Sequence, residues 1–452
     1  MFKLPEDINH FLKFFQKQGF QIYIVGGAVR SLLMNLPIKN WDFTTNAKPE
    51  EIIKLFPQAF YNNQYGTVSV PLKINQSDDL KPSQLILEVT PFRKEGKYLD
   101  FRHPKKISWA KTLKEDLSRR DFTINAMAYD GKKIIDPFDG RKDLQNKLIK
   151  AVGNPDERFN EDALRLLRAI RLASELGFFI EEETKKSIKK NARLITKISW
   201  ERIRDELLRI LASHYPAEGI IFLKNTNLLK YILPELDVCF AIPQKSPKRH
   251  HIFDVGTHSI MSLKYCPSKD VITRLATLLH DIGKAKTYRR DETTGLITFY
   301  NHEIVGTKLA KEIAHRLKLS NEQTDKFVRL VKYHQFTVSE LQTDNAIRRF
   351  IREVGKENLP DILDLRTGDR IGSGAKPTSW RLELFKKRLV EVQKEPFKIT
   401  DLKINGNDVM KILKIKPGPK VGQVLKKLFD QVVNKKIENK REALINEIKK
   451  MN

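Results

Sequence analysis

The sequence predicts an α+β protein, a small mixed-sheet head followed by an extended all-helical body. Three observations point there. Short apolar runs with strand character fall only before about residue 140, next to segments of helical character. Beyond that point apolar residues recur at helical spacing. The chain has 452 residues, about three times the usual size of one domain, which asks for two to four units.

From the start, Ile8, Phe11, Leu12 and Phe15 share one face of a helix over Pro5–Gln18. Gln21–Val25 reads as a strand running into Gly26-Gly27, and Ala28–Met34 as the start of a helix. Trp41–Thr44 and Leu85–Phe92 read as further strands, with a polar loop over Lys73–Gln84 between them. Residues 136–160 carry Pro137, Gly140, Gly153 and Pro155 and read as a connector. A basic amphipathic helix is expected from Glu161, and another helix over Val271–Lys284. Turn-rich breaks fall at 242–250 and 372–379, and Pro417-Gly418-Pro419 precedes a Lys-rich helical tail. The domains expected are 1–150, 151–245, 246–375 and 376–452.

Lys and Arg number 83 against 56 Asp and Glu, a formal net charge of +27. That excludes an acidic disordered chain and points to a polyanionic partner. With only Cys239 and Cys266, neither a disulfide framework nor a four-cysteine zinc site can form. No run approaches the ~18 apolar residues of a membrane span. The first twenty residues carry scattered charges and no signal-peptide core. A soluble, cytoplasmic protein with no membrane association and no obligate protein partner is the expectation.

Ile24-Val25-Gly26-Gly27-Ala28-Val29-Arg30 sets two glycines between a strand and a helix. Glycines there let backbone N–H groups approach an anion, and the helix start adds positive potential. Arg30, one turn in, is placed to clamp a phosphate. Asn40-Trp41-Asp42-Phe43-Thr44 follows; positions 40 and 42 of a strand share a face. Two oxygen ligands there suit Mg²⁺, which binds through a few carboxylates plus substrate phosphates. Glu88, on the later strand, is a further acid for that site. Taken singly, a plain tight turn and a solvated carboxylate account for these residues as well.

Together with EVTPFR, RRDFTINAMA (Arg119 to Ala128), EDALRLLRAIR (Glu161 to Arg171), ISWERIRDELLRIL (Ile198–Leu211) and INGNDVM…KPGPKVGQVL, these motifs resemble the class II tRNA nucleotidyltransferase / poly(A) polymerase family of the polymerase β superfamily. The resemblance covers nearly the whole chain. It implies a nucleotidyltransferase head, a helical neck for nucleotide selection and RNA binding, an HD-type helical metal domain and a basic tail that binds tRNA. It further implies that Gly26, Gly27 and Arg30 contact the triphosphate and that Asp42 binds Mg²⁺. Arg120, with Asp121 and Asn125 in the same run, would bind nucleotide. Asp162, Arg165, Arg168 and Arg171 would line the nucleotide pocket. The expected activity is addition of C and/or A to the tRNA 3′ terminus from CTP and ATP.

Two departures stand out. Asn40 occupies the first position of the family's Asp-x-Asp, and Ser31 stands where an Asp usually follows the arginine. In-line nucleotidyl transfer uses two metals. An amide oxygen at position 40 still coordinates but brings no charge, so weaker metal binding and slower reaction are expected. An engineered inactivating change, a naturally degenerate head and a rearranged site using Glu88 each account for Asn40.

Asp162 and Arg165, three apart on a helix, would share a face, with Arg168 three further on. Cytosine and adenine both present an amino donor beside a ring acceptor. A carboxylate accepts from the first and a guanidinium donates to the second. Uracil and guanine present the reverse, and unpaired buried polar groups cost about 1–3 kcal/mol each, so rejection of ~10²-fold or more follows. On spacing alone, a surface helix laced with salt bridges fits equally well.

His250-His251 and His258 precede the Val271–Lys284 helix, which contains His280-Asp281; His302, His334 and Asp369 follow. The arrangement resembles the HD superfamily of metal-dependent phosphohydrolases. It implies His258, His280, Asp281 and Asp369 as ligands, with His302 and His334 where two-metal members have additional histidines. Such a set suits Mn, Fe, Ni or Co as well as Mg. The basic helices after residue 190 and the tail, including Lys435, Lys436, Lys440 and Arg441, are candidates to track the phosphates of a tRNA acceptor arm. Two other readings remain: a template-independent poly(A) polymerase, or a degenerate RNA-binding head beside a working HD phosphohydrolase.

Overall fold

The computed structural model describes residues 2–38, 40–61, 66–73, 84–95, 107–244, 253–393, 399–433 and 436–451. His250, His251 and Lys435, and most of the Lys73–Gln84 loop, lie outside them.

The first helix, α1 (Glu6–Lys17), buries Ile8, Phe11, Leu12 and Phe15, the stripe its spacing predicts. It covers a sheet built from β1 (Ile22–Val25), β2 (Asp42–Thr45), β3 (Phe60–Tyr61), β4 (Val68–Lys73), β5 (Gln84–Pro91), β8 (Ala128–Tyr129) and β9 (Ile134–Ile135), in the order β3-β4-β5-β2-β1-β8-β9. Only β2 and β5 run parallel; every other pairing is antiparallel, so the sheet is mixed. Helices α2 (Gly27–Leu33) and α3 (Pro49–Leu55) follow β1 and β2. A hairpin of β6 (Arg93–Glu95) with β7 (Ile107–Trp109) precedes α4 (Leu113–Ser118). Phe11, Phe15, Ile24, Val29, Phe43, Val89 and Tyr129 form one buried cluster between α1 and the sheet. That apolar mass fixes the strand ends that carry the glycine turn and Asp42.

After the sheet come α5 (Gly140–Gln145), α6 (Pro155–Glu161), α7 (Leu164–Leu176), α8 (Glu182–Asn191) and α9 (Trp200–Ala212). The expectation of strands only before residue 140 is too strict. Leu148–Ile149 pairs with Phe179–Ile180, and Arg289–Arg290 with Ile297–Thr298. Two-residue ladders are too short to register as an alternating pattern. The supposed connector 136–160 folds α5 and α6, the latter started by Asn154 accepting from Asp156 N and by Pro155 at its first position.

The chain divides into two compact units, Met1–Val238 with His315–Lys318, and Cys239–Ala314 with Leu319–Asn452. The second holds helices Val255–Lys264, Val271–Leu279, Asn321–Tyr333 and Leu359–Gly372. It also holds three tail helices, Gly406–Leu413, Pro419–Val433 and Arg441–Lys449, around Val409, Leu428, Leu444 and Ile448. The helix expected over Val271–Lys284 stops at Leu279, and His280 begins a turn. Among the described residues no helix is long and apolar enough to cross a membrane.

Candidate functional site

Gly26 follows β1 and caps α2 with φ +68° and ψ −135°, a conformation that favours glycine. A Cβ there would lie 3.1 Å from Arg120 Nη1 and 3.7 Å from Asp42 Oδ2. The glycine turn, the carboxylate at the start of β2 and the arginine after α4 therefore meet at one point. Asp42 is in register with Glu88 on the parallel neighbour β5, so both side chains lie on one face. Burial raises the Asp42 carboxyl above its ordinary value, and Arg120 opposes the shift. Desolvation likewise lowers the Arg120 guanidinium, with Asp116 and Asp42 pulling it back.

Asn40 is not where the strand argument puts it. β2 begins at Asp42, and Asn40 precedes it as an exposed residue. Alternation along a strand therefore does not bring residue 40 to the face of Asp42.

A polar chain links the turn to the helical neck. Arg30 Nη1 donates to Asn125 Oδ1. Asn125 Nδ2 donates to Asp121 Oδ1 at 3.1 Å, and Arg168 donates to Asp121 Oδ2 at 2.8 Å through Nε. Asp121 is buried and also accepts from Phe122 N. Burial alone would raise its carboxyl, but Arg168 and Arg165 hold it far below the ordinary range. Arg168 is raised in turn by Asp121. Asp121 is thus a buried hub bonded to both Arg168 and Asn125. Burial lowers the Arg30 guanidinium, opposed by Glu175 and Asp121.

The pair expected to read the base is arranged differently from the helical-face prediction. α6 ends at Glu161, and Asp162 is extended, with φ −134° and ψ 104°. Its Oδ1 accepts from Leu164 N at 3.0 Å, as a cap does. Its Oδ2 lies 3.4 Å from Arg202 Nη2. Arg165 Nη1 is 2.6 Å from Glu161 Oε2, and its Nη2 donates to Arg119 O at 2.9 Å. Arg171 is buried, with Nε 2.7 Å from Glu206 Oε2, tying α7 to α9.

Sequence reasoning passed over Asp116, Glu161, Arg202 and Glu206. Asp116, fully buried, accepts from Arg119 at 2.9 Å and Arg93 N at 3.2 Å and lies 3.6 Å from Arg120. Burial would raise it, yet Arg119 and Arg120 hold it low. Its spacing of three and four before Arg119 and Arg120 was the available signal.

In the second unit, six ligand-type side chains converge. His258 Nε2 is 3.2 Å from His280 Nε2 and 3.3 Å from Asp369 Oδ1. Asp281 Oδ2 is 3.2 Å from His280 Nε2, while its Oδ1 is 3.3 Å from His302 Nε2 and 3.5 Å from His334 Nε2. His258, His280 and Asp369 form one group and Asp281, His302 and His334 another, the ligand atoms within each group lying within 4.8 Å of one another. The Nδ1 atoms of His280, His302 and His334 face the carbonyls of Thr277, Phe299 and Val331 at 2.8–2.9 Å. That arrangement leaves each Nε2 as a lone-pair donor. A Cβ on Gly283 would sit 2.0 Å from His302 O, so only glycine lets the His-Asp turn pack against the next histidine. Burial opposes protonation of His280, but Asp281 and Asp369 push it up to about 10. The carboxylates thus demand positive charge, which Lys284, 2.6 Å from Asp281 Oδ2, meets in part. In the tail, Lys440 and Arg441 are exposed and pair with Glu438 and Asp408.

Three protein families match along the chain: the Poly A polymerase head domain over 22–150, the probable RNA and SrmB- binding site of polymerase A over 177–240, and the putative tRNA nucleotidyltransferase domain 2 over 290–448. His258, His280 and Asp281 fall between the last two. The CCA-adding enzyme of Ligilactobacillus salivarius is 33% identical over 99% of this chain and 98% of its own. That of Enterococcus faecalis is 33% identical over 96% and 93%. The crystal structure of the Bacillus stearothermophilus CCA-adding enzyme in complex with CTP superposes with a TM-score of 0.71 at 26% identity, covering 99% and 98% of the two chains. With that identity sustained from end to end, and with the glycine turn, Asp42 and the arginine network gathered in the head, this chain belongs to the CCA-adding enzyme family.

Proposed function

We propose that this chain is a tRNA nucleotidyltransferase that adds C and A to the 3′ end of tRNA from CTP and ATP, acting in the cytoplasm. The observation that carries the reading is the meeting of Gly26, Asp42 and Arg120, joined through Arg30, Asn125 and Asp121 to Arg168. The relatives' name favours CCA addition over open-ended poly(A) synthesis. The Gly26-Gly27 turn lets phosphate oxygens approach the backbone, and Arg30 and Arg120 neutralise them. Asp162 accepts from the amino group of cytosine or adenine, and Arg165 donates to the ring nitrogen beside it. Members of this family are nucleotidyltransferases that work with a divalent metal ion. The residues fit Mg²⁺: Asp42 is a desolvated carboxylate facing the phosphate turn, with Glu88 in register beside it. When bound there, the ion supplies charge neutralisation of the leaving pyrophosphate and activation of the 3′-hydroxyl. Asn40 adds no charge to it. The test is incubation with tRNA lacking its 3′ end and each labelled nucleoside triphosphate in turn. Incorporation of C and A alone, lost in Asp42→Ala, is expected; incorporation of all four overturns the reading.

The six converging side chains of the second unit favour an additional activity, metal-dependent phosphoester hydrolysis. Neutral imidazoles with carboxylates suit Mn, Fe, Ni or Co as well as Mg. His258, His280 and Asp369 would hold one ion, and Asp281, His302 and His334 a second. A metal held there would make hydroxide available near neutral pH. Metal analysis of the purified protein is expected to find up to two ions per chain, lost in His280→Ala and on chelation, together with hydrolysis of 2′,3′-cyclic phosphate ends. Retention of metal and hydrolysis in His280→Ala rules this out.

A further inference from the structure

Helix α9, which carries the ISWERIRDELLRIL motif, touches Asp162 and α7 at three points. Arg202 Nη2 lies 3.4 Å from Asp162 Oδ2, Glu206 Oε2 2.7 Å from Arg171 Nε, and Arg209 Nη2 3.2 Å from Glu175 Oε1. Residues 202, 206 and 209 fall on one helical face. The two later contacts join helix to helix. The first does not, because Asp162 sits in the extended link between α6 and α7, where no helical backbone holds its side chain in place. Its Oδ1 is tied to Leu164 N, and Oδ2 has Arg202. Arg202 Nη1 is buried without a hydrogen-bond partner among the described residues. A buried N–H left so is costly and calls for a specific explanation, such as a group that completes it. Ion pairs of catalytic sites are often long without substrate and tighten with it.

We propose that Arg202 is a positioning residue that aims the Asp162 carboxylate at the amino group of the incoming base, and so sets discrimination of CTP from UTP. The proposal rests on the reading of Asp162 as the base-reading carboxylate. With one oxygen held by the backbone and the other by Arg202, the plane of the carboxylate is fixed. A fixed, acceptor-only carboxylate meets the cytosine amino group but faces the uracil carbonyl oxygen with no proton between them. Released from Arg202, the carboxylate turns aside, and the penalty against UTP shrinks.

Equilibrium binding of CTP and of UTP to the protein with Mg²⁺ and without tRNA tests this in the absence of turnover. The Kd ratio of UTP to CTP is expected to fall about tenfold in Arg202→Gln and to recover in part in Arg202→Lys. If Arg202 is only structural, both nucleotides weaken alike and the ratio stays at the wild-type value; that overturns the proposal, while a collapsed ratio in Asp162→Ala still upholds the role of Asp162. A wild-type ratio near one, or an unchanged ratio in Asp162→Ala, removes the role of Asp162 and this proposal with it. Should Arg202→Gln fail to fold, Arg202→Lys decides, since an ammonium cannot reproduce the guanidinium fork; a wild-type ratio in that variant overturns the proposal.

Discussion

Burial holds the Asp42 carboxyl above its ordinary value in a pocket where Arg120 is the opposing charge. Removing that carboxylate takes away the acid that faces the glycine turn. Asp42→Asn is expected to lower CMP incorporation at least about 100-fold, with tRNA affinity unchanged by gel shift. Asn40 is exposed and precedes β2, so Asn40→Asp is expected to leave incorporation within about twofold of wild type across a Mg²⁺ titration. A rise of about tenfold at low Mg²⁺ would instead mean that residue 40 reaches the ion. Asp121 carries a pH signature. Its folded value is depressed, so its contribution to stability is complete above the unfolded carboxylate value of 3.8 and is lost as pH falls toward the folded value. Asp121→Asn is expected to cost about 2–3 kcal/mol by urea unfolding at pH 7, discounted because Arg168 is partly exposed. The gap between wild type and variant should stay flat from about pH 8 to 5 and narrow only in strong acid.

Among the elements, α7 is fixed from two sides. Arg168 reaches Asp121 in the head, and Arg171 reaches Glu206 on α9. Both Arg171 and Glu206 are buried, so deleting one partner strands the other. Glu206→Gln is expected to destabilise the chain by about 3 kcal/mol and to weaken CTP and ATP binding to the same extent, since it shifts the helix rather than the contact to either base. A selective loss of one nucleotide would place Arg171 in the pocket after all. At this scale the sequence was partly legible. The apolar stripe of α1 and the glycine turn are local patterns and came out within a residue or two. The helix break at Asp162 was not visible, because Glu-Asp-Ala-Leu suits a helix and the break depends on the Leu164 N–H and Arg202 capturing the carboxylate. Asp116 escaped notice because its burial depends on Thr44, Arg93 and the arginines closing around it.

The whole molecule carries a formal charge of +27. tRNA binding should therefore weaken steeply with salt, with log Kd rising by roughly 0.7–0.9 per phosphate contact for each decade of salt. Replacing Lys436, Lys440 and Arg441 by Gln together is expected to flatten that slope by about two, read by filter binding at several salt concentrations. An unaltered slope would remove the tail helices from the RNA path. Lys440 and Arg441 already pair with Glu438 and Asp408, so their release on binding is part of the expected cost.

By itself the sequence determined the order of mixed-sheet head and helical body and the place of the glycine turn and of Asp42 after a strand, because each is written in local spacing or residue chemistry; the six histidines and aspartates of the second unit came from the resemblance to the HD superfamily. Tertiary structure alone decided which of them meet. Asp42 faces Gly26 and Arg120, and Asp281 spans two histidine pairs. Asp121 and Arg171 are turned inward as struts. Those outcomes depend on contacts between residues far apart along the chain, whose geometry only the packed core fixes.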